Sequence, residues 1–335
     1  MKTYLTVRLP LVLLAFASGH AAGPALTLAP DVRSTVGDAT HWTASHWSPE
    51  DTALFEGIPA YHGPDRDLIL LRYSYYVSDY DADRLCPLWV AHIDVGDTSA
   101  KARERVKSKD PKWDRIGFYP DPNLVTFSTA RHLPYVVDAS YSNPNPPGFP
   151  GAEGTPTHLT RGHNASNDEM KLEGDEDEGS AAQRESFSLA NVSPQTQHHN
   201  APLWAALESD CLAWAAKLGR VAVITGPVFA PDHNPRSPLN VRSVISTHGA
   251  KGPQIPVPTH FFKIVIGRID GQISAVGFLV PHRSDLGKDG YRSYQKPIAE
   301  IEQATGLTFL PQETNPAIKT QVDARWLEMI PAPKK

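Results

Sequence analysis

The sequence predicts a single α+β domain, in which a central antiparallel sheet carries packed helices. Three observations predict this class. Strand-like segments come in adjacent pairs joined by turns, helical patterns separate these pairs, and no repeat or clean linker divides the chain. Strands joined by hairpins favour antiparallel pairing. With 335 residues, of which 40% are hydrophobic and 21% charged, the chain is large enough to bury a core.

The N-terminal segment predicts export. Lys2 and Arg8 give it a positive start, the apolar run at 9–17 is too short to cross a bilayer, and small residues follow where a signal peptidase could cut. We therefore expect a secreted or periplasmic protein that does not bind membranes. The expected segments are a signal peptide at 1–21, an irregular lead-in at 22–50 and the functional domain at 51–335.

The first half of the chain predicts a β-hairpin followed by two charged segments. Aromatic and β-branched runs at 68–77 and 88–93 flank a polar turn at 79–83. The basic segment 100–115 is either a phosphate-contacting surface or a solvated charged face. The acidic segment 171–185 lacks the ligand spacing of a calcium loop and is predicted to be a solvated loop.

The second half predicts two helices around a β-rich centre. Residues 200–218 carry apolar residues at helical spacing, with Asn200 as the N-cap and Gly219 as the stop. A buried strand at 221–229 and a hairpin at 259–281, turning at Asp270-Gly271, follow. A short helix within 297–307, ended by Gly306, closes the fold.

Charge and cysteine content limit the function. The formal net charge of −5 counts against a nucleic-acid ligand, unless basic groups are concentrated locally. Cys86 and Cys211 could form a disulfide in an oxidising compartment, or each could be a small buried apolar residue; the sequence leaves both open. Two cysteines so far apart do not make a metal site.

The stretch "TRGH" and the amide-rich run after it contain the candidate site residues. His163 can accept a proton from water near neutral pH, Arg161 suits an anion, and Gly162 allows a close backbone approach or a positive φ. Asn200 and Glu208 offer an amide oxygen and a carboxylate, a sparse oxygen set that suits hydrated Mg²⁺. Taken singly, Asn200 is better explained as a helix cap and Glu208 as an exposed helix charge.

Taken together, these residues resemble a known family. The segments "YSYYVSDY", "PLWVAH", "TRGHNAS", "NVSPQTQHHNAPLWAALE", "VITGPVF", "VPTHFFKIVI", "AVGFLVP" and "IEQATGLTFLP" occur in the order found in the DNA/RNA non-specific endonucleases. These are the ββα-metal or His-Me finger nucleases, which include endonuclease G. The resemblance covers about residues 52–311 and implies the ββα-metal fold and an enzyme that hydrolyses phosphodiester bonds of DNA and RNA.

The resemblance also implies a role for each site residue. His163 would be the general base that deprotonates the attacking water. Asn200 would be the direct protein ligand of one hydrated Mg²⁺, for which Mn²⁺ is expected to substitute, and Glu208 would hold waters bound to this ion. The ion would contact the scissile phosphate and the leaving 3′ oxygen, where negative charge develops.

Three further residues take supporting roles by the same resemblance. Asn191 would help to fix the site, Arg161 would support phosphate or loop geometry, and Arg115 would be the separate phosphate-binding arginine. Contacts to phosphate and sugar carry no sequence information, so cleavage should be largely sequence-tolerant. Local cations can bind phosphate despite an acidic total, which answers the objection from net charge.

Departures from the family pattern leave alternatives open. Thr160 stands where the family's motif usually begins with aspartate, so a catalytically silent nucleic-acid-binding relative of the same fold is the alternative function. His198 and His199 beside His163 suggest a zinc hydrolase, but adjacent histidines point in different directions and no HExxH motif is present. The sequence leaves monomer and homodimer open.

Overall fold

The computed structural model describes residues 34–96, 105, 108–137, 159–229, 244–245, 253, 255–288 and 290–330. Within these residues the strands are β1 Thr35–Val36, β2 Ala60–Tyr61, β3 Leu68–Arg72, β4 Tyr76–Asp81, β5 Cys86–Val95, β6 Leu159–His163, β7 Val192–Thr196, β8 Arg220–Val228, β9 Val244–Ile245, β10 Ile255–Pro256, β11 His260–Ile269, β12 Gln272–Pro281, β13 Gln295–Lys296 and β14 Leu307–Thr308.

The helices of the same part of the chain are short except for two. They are α1 Pro49–Leu54, α2 Pro122–Ala130, α3 Asn167–Met170, α4 Glu176–Ser186, α5 Ala205–Leu218, α6 Ile298–Thr305, α7 Ala317–Thr320 and α8 Arg325–Met329. No helix in this part of the chain combines the length and hydrophobicity needed to cross a membrane.

The largest sheet has eight strands in the order β1-β3-β4-β5-β8-β11-β12-β13. All pairings between these strands are antiparallel, as the hairpin pattern predicts. Strands β6 and β7 form a separate antiparallel ribbon. The predicted α+β class with a central antiparallel sheet is therefore confirmed.

The register assigns side chains to the two faces of the sheet. Thr225 of β8 lies opposite both Val90 of β5 and Lys263 of β11, so these three side chains share a face. Because side chains alternate along a strand, His92 and Asp94 lie on the face of Val90. This face is covered by α3, α4, α5 and α8, whereas α1 and α6 pack on the other face.

Two predicted elements have the expected form. Strands β11 and β12 make the predicted hairpin, and both Asp270 and Gly271 in its turn have positive φ, 54° and 78°. Helix α6 ends at Gly306, which is left-handed with φ 71°. The proline- and glycine-rich segment 142–156 predicts a loop, and it lies outside the described residues.

The first hairpin was predicted only in part: β4 and β5 pair antiparallel across a turn at 82–85, but the first predicted run is not one strand. The run at 68–77 is divided into β3 and β4, because the chain reverses between Arg72 and Tyr76. Glu185 of α4 accepts hydrogen bonds from the backbone N–H of Ser74 at 2.9 Å and of Tyr75 at 3.2 Å in this reversal. A turn held by a carboxylate more than 100 residues away has no local sequence signal.

The lead-in and the acidic segment also differ from expectation. Within 22–50, the described residues supply strand β1 and bury Trp42 and Ala44 in the core. The acidic segment forms helix α4 rather than a solvated loop. Asp175 caps it by accepting from the N–H groups of Asp177 and Glu178, and acidic residues in a first turn suit the helix dipole.

Candidate active site

The β6–β7 ribbon carries the histidine of the sequence motif at the end of its first strand. His163 pairs with Val192, and Gly162 with Ser193. A Cβ on Gly162 would lie 2.2 Å from the side-chain oxygen of Gln195. Glycine is therefore required here for a close approach, and not for a positive φ.

The imidazole of His163 lies in an aromatic pocket. Its ring centroid is 5.1 Å from that of Phe118 and 5.2 Å from that of Phe187, and the residue is only 7% exposed. Among the described residues, no group makes a hydrogen bond to its buried Nε2. Burial, reinforced by the charge of Arg115 and opposed by Glu169, lowers the pKa of His163 to about 3. The ring is neutral at physiological pH and can accept a proton.

Two arginines lie beside the same aromatic rings. The guanidinium carbon of Arg161 is 5.4 Å from the centre of the Phe118 ring, and that of Arg115 is 5.8 Å from the centre of the Phe187 ring. Arg115 is exposed, so its charge is available to an anion from solvent. The structure thus brings Arg115 to His163, although 48 positions separate them in the sequence.

Asn191 holds the loop that follows His163. Its side-chain oxygen accepts from the N–H of Ala165 at 2.8 Å, and its amide nitrogen donates to the carbonyls of Ala165 and Ser186 at 2.9 and 2.8 Å. Its backbone carbonyl accepts from the N–H of Asn164 at 2.9 Å. These bonds engage both ends of the Asn191 amide group and tie it to the loop that follows His163.

Asn200 was predicted incorrectly as a helix N-cap. It lies in the π-type turn His199–Trp204, in which Ala201 is extended, and helix α5 begins only at Ala205. The Asn200 amide nitrogen instead donates to the hydroxyl of Thr160 at 3.4 Å, and this hydroxyl donates to the carbonyl of Gln195 at 3.1 Å. Thr160 thereby turns the amide nitrogen of Asn200 toward the ribbon.

Glu208 lies in the first turn of α5 and is half-buried. Burial, together with the negative charge of Glu169, raises the pKa of Glu208 to about 8, while Lys263 opposes this shift. A carboxyl group in this state is one that a nearby cation would ionise. The predicted reading of Glu208 as a plain exposed helix charge does not fit this environment.

Sequence reasoning missed a second group of ionisable side chains. His92, Asp94 and Glu169 are buried, and one potential ligand atom from each lies within 4.8 Å of the others, so the three could hold a metal ion. The signal was present in "WVAHIDV" and "HFFKIVI", where His92, Asp94 and Lys263 interrupt strands that are otherwise apolar.

The remaining predictions for this region have mixed outcomes. His198 is exposed, whereas the His199 ring is buried against Trp204, at 5.4 Å between centroids, so the pair does not converge on one ion.

Cys86 and Cys211 are free and buried, which leaves the alternative of two small apolar residues. In the described part of the basic segment, Arg105 donates to the Gly174 carbonyl at 2.9 Å and Lys112 pairs with Glu176, so both contact the acidic segment.

Comparison with known proteins identifies both similar sequences and a similar fold. A model of the family described as DNA/RNA non-specific endonuclease matches residues 59–315. The mitochondrial nuclease EXOG of Danio rerio is 25% identical over 243 residues, which are 71% of this chain and 60% of the relative. Mitochondrial endonuclease G of Homo sapiens is 32% identical over 131 residues, 39% of this chain and 43% of the relative.

The chain therefore spans only part of the length of these curated relatives. A solved structure of an EndoG/EndoGI complex contains a chain with the same fold, at a TM-score of 0.52 and 20% identity, covering 78% of this chain and 92% of that one. The predicted ββα-metal nuclease fold is confirmed by this match.

The expectation of a secreted or periplasmic protein is wrong on this comparison, because the relatives are named as mitochondrial nucleases. The N-terminal segment has Lys2, Arg8 and no acidic residue before Asp31. Targeting segments for mitochondria are also basic and poor in acidic residues, so this composition does not establish export.

Proposed function

The chain belongs to the DNA/RNA non-specific endonuclease family, and from this premise we propose that it is a nuclease that hydrolyses phosphodiester bonds of both DNA and RNA. The observation that carries the proposal is His163: a neutral imidazole whose Nε2 has no hydrogen-bond partner among the described residues, flanked by two arginines. The mitochondrial names of the relatives favour the same compartment for this chain.

His163 is proposed to be the general base. Its pKa of about 3 keeps the ring unprotonated at neutral pH. A phosphate anion bound beside it would raise this pKa, because a negative charge stabilises the imidazolium form. The ring would therefore become a better base once substrate is bound, when it takes a proton from the attacking water.

Asn200 and Glu208 are proposed to hold one hydrated Mg²⁺. The bond to Thr160 engages the amide nitrogen of Asn200 and leaves its oxygen as the donor atom for a cation. Thr160 lies three positions before His163 on β6. Three residues span about 10 Å along a strand, so this is the distance between the two positions along the ribbon. When bound, Mg²⁺ would stabilise negative charge on the phosphate and on the leaving oxygen.

Arg115 and Arg161 are proposed to hold the phosphate. A guanidinium matches the oxygens of a phosphate group, and both arginines lie on the aromatic wall around His163. These groups and a cation recognise the backbone, which DNA and RNA share. Cleavage without sequence preference follows from this arrangement.

The function is tested on supercoiled plasmid and on single-stranded RNA. A nuclease of this kind should nick the plasmid and degrade the RNA in Mg²⁺, and EDTA should stop both reactions. Plasmid that is shifted in a gel yet stays supercoiled in Mg²⁺ would instead identify the catalytically silent, nucleic-acid-binding relative.

Thr160→Val should weaken Mg²⁺ binding, because the isosteric side chain no longer bonds the Asn200 amide. Loss of a residue that orients a metal ligand costs roughly 10-fold in metal affinity. The Mg²⁺ concentration at half-maximal nicking should therefore rise about 10-fold. Thr126→Val, which removes a hydroxyl bonded to Pro122 in α2, is the control and should leave this concentration unchanged. An unchanged value in Thr160→Val would show that Thr160 does not orient the ligand.

Arg115→Ala should move the acid limb of the pH–rate profile to higher pH. Arg115 lowers the pKa of His163, so removing it raises this pKa. The ring then becomes protonated, and unable to accept a proton, at a higher pH as the solution is acidified. The measurement is kcat between pH 4 and 8 at saturating Mg²⁺ and substrate, because kcat reports the pKa in the substrate complex, where the bound phosphate raises it. The control is Arg131→Ala, which removes an arginine paired with Asp67 and should keep the wild-type pH–rate profile. If Arg115→Ala also keeps the wild-type profile, Arg115 does not set the pKa of His163.

A further inference from the structure

A buried group of charged side chains lies between the central sheet and the element that follows His163. His92 and Asp94 project from β5 and Lys263 from β11, on the face covered by α3. Glu169 of α3 faces them: His92 Nε2 is 3.2 Å from Glu169 Oε2 and 3.4 Å from Asp94 Oδ1. All four side chains are at most 1% exposed.

Many polar atoms of this group have no hydrogen bond within the part of the chain that the structure describes. They are both ring nitrogens of His92, both carboxylate oxygens of Asp94, Oε1 of Glu169 and Nζ of Lys263. Buried polar atoms without hydrogen bonds are expensive unless charges compensate them. The stability of the group therefore rests on its ion pairs.

The charges of the group balance. Asp94 and Glu169, acting against burial, raise the pKa of His92 to about 9. Lys263 and His92 hold the pKa of Glu169 at about 2 against burial, and burial raises the pKa of Asp94 to about 6. At neutral pH two cations therefore face two carboxylates.

The nearby acids add little to this balance. Glu208 and Glu173 also interact electrostatically with the group, and burial raises the pKa of each carboxyl, to about 8 for Glu208 and well above its usual value for Glu173. Burial also raises the pKa of the Cys211 thiol. Glu208 and the Cys211 thiol are therefore largely protonated at neutral pH, and the raised pKa of Glu173 favours its protonated form.

This balance decides between two readings of the group. Ligand atoms 3.2 to 3.4 Å apart would suit a metal ion bound at about 2.1 Å from each. Lys263 already supplies a cation to the two carboxylates, and a divalent cation would have to replace the ion pairs of His92 with Asp94 and Glu169. The charges favour an ion network without a metal.

The network is connected to His163 through the backbone. Glu169 completes a capping box with Ser166: Ser166 Oγ accepts from the N–H of Glu169, and the N–H of Ser166 donates to Glu169 Oε2, both at 3.1 Å. Ser166 is three residues after His163. The intervening Ala165 is held from the other side by Asn191.

We propose that His92, Asp94 and Lys263 are positioning residues, which hold Glu169 and so fix the loop after His163 in place relative to the sheet. This inference rests on the proposed nuclease function. Buried ion networks can specify one arrangement of packed elements even where they add little stability. The network would thus set the position of the base without contacting substrate.

The test is a double-mutant cycle with Glu169→Gln and His92→Gln, read as kcat and KM for plasmid nicking. Glutamine keeps the oxygen that accepts from Ser166, so Glu169→Gln removes the charge and leaves the cap. Each single variant leaves an unbalanced charge and should lower kcat by about 100-fold with KM nearly unchanged. The double variant removes one charge of each sign, so its kcat should exceed that of the worse single variant by roughly 10-fold.

Asp79→Asn is the matched control. Asp79 is a buried carboxyl on the neighbouring strand β4, and burial raises its pKa to about 7. The variant Asp79→Asn should keep the wild-type kcat. The variant Asp94→Asn should lower kcat, as Glu169→Gln does. If Glu169→Gln and His92→Gln do not fold, Asp94→Asn alone tests the positioning role. The fold should tolerate its neutral side chain, because burial already raises the pKa of Asp94.

Each of three outcomes would overturn either the positioning role of the network or the nuclease function on which it rests. Wild-type kcat in Glu169→Gln, His92→Gln and Asp94→Asn overturns the positioning role while the nuclease function stands. One equivalent of Mn²⁺ that persists in Asn200→Ala and is lost in Asp94→Asn replaces the network with a metal site. Wild-type protein that fails to cut plasmid in Mg²⁺ overturns the proposed function itself.

Discussion

Replacing His163 with alanine is expected to lower kcat for plasmid nicking by about 100- to 10,000-fold, the contribution typical of a positioned general base. The imidazole is neutral at physiological pH, and its Nε2 makes no hydrogen bond with a described residue. Without it, the attacking water must lose its proton to solvent. Binding of DNA should persist, because Arg115 and Arg161 remain.

His198→Ala is the matched control for this prediction. His198 is an exposed histidine two residues before Asn200, and its removal should leave the rate within about two-fold of wild type, as for most surface substitutions. A gel shift in EDTA should show equal DNA binding by wild type and both variants. Wild-type nicking by His163→Ala would falsify the assignment of the base.

Asn200→Ala is expected to lower the nicking rate by about 1,000-fold, which corresponds to roughly 4 kcal/mol of lost charge stabilisation by a metal ion. Alanine removes the amide oxygen proposed to bind the ion and leaves the ribbon intact, since the lost bond to Thr160 is long at 3.4 Å. Mn²⁺ binding, measured by electron paramagnetic resonance, should weaken in parallel with the rate.

The control for Asn200→Ala is Gln197→Ala, which removes an exposed amide from the same loop. Its rate and its Mn²⁺ affinity should match those of the wild type. If Asn200→Ala instead binds Mn²⁺ as tightly as wild type does, the ion is held elsewhere, and His92, Asp94 and Glu169 become the first place to look.

Local patterns predicted those elements that local forces determine. The hairpin at 259–281 follows from a turn in which Asp270 and Gly271 can adopt positive φ. The end of α5 follows from Gly219, whose φ is 86°. The beginning of α5 was misplaced, because Asn200 is a good capping residue by type, yet Ala201 is extended and interrupts the helix.

The elements that depend on distant contacts were not predictable in this way. The reversal at Ser74 is stabilised by Glu185, and the acidic segment folds as a helix because its buried face packs against the sheet. A run of charges indicates a solvated loop only if no residue within it is buried. Ala182 and Gln183 in this segment are buried.

The candidate site could be predicted as a set of residue types, and not as an arrangement. The motif and its resemblance supplied His163, Asn200 and Glu208, while the proximity of Arg115 to His163 depends on the packing of Phe187. The buried group around His92 could not be predicted as an arrangement, because β5, β11 and α3 bring it together from distant parts of the sequence. Polar residues that interrupt apolar strands are the signal that would have found it.

A crystal soaked in Mn²⁺ with a short single-stranded oligonucleotide tests the central claim most directly. The account predicts one anomalous peak about 2.1 Å from the side-chain oxygen of Asn200, with a backbone phosphate between this ion and the Nε2 of His163. The ion found among His92, Asp94 and Glu169, or a phosphate bound away from His163, would contradict it.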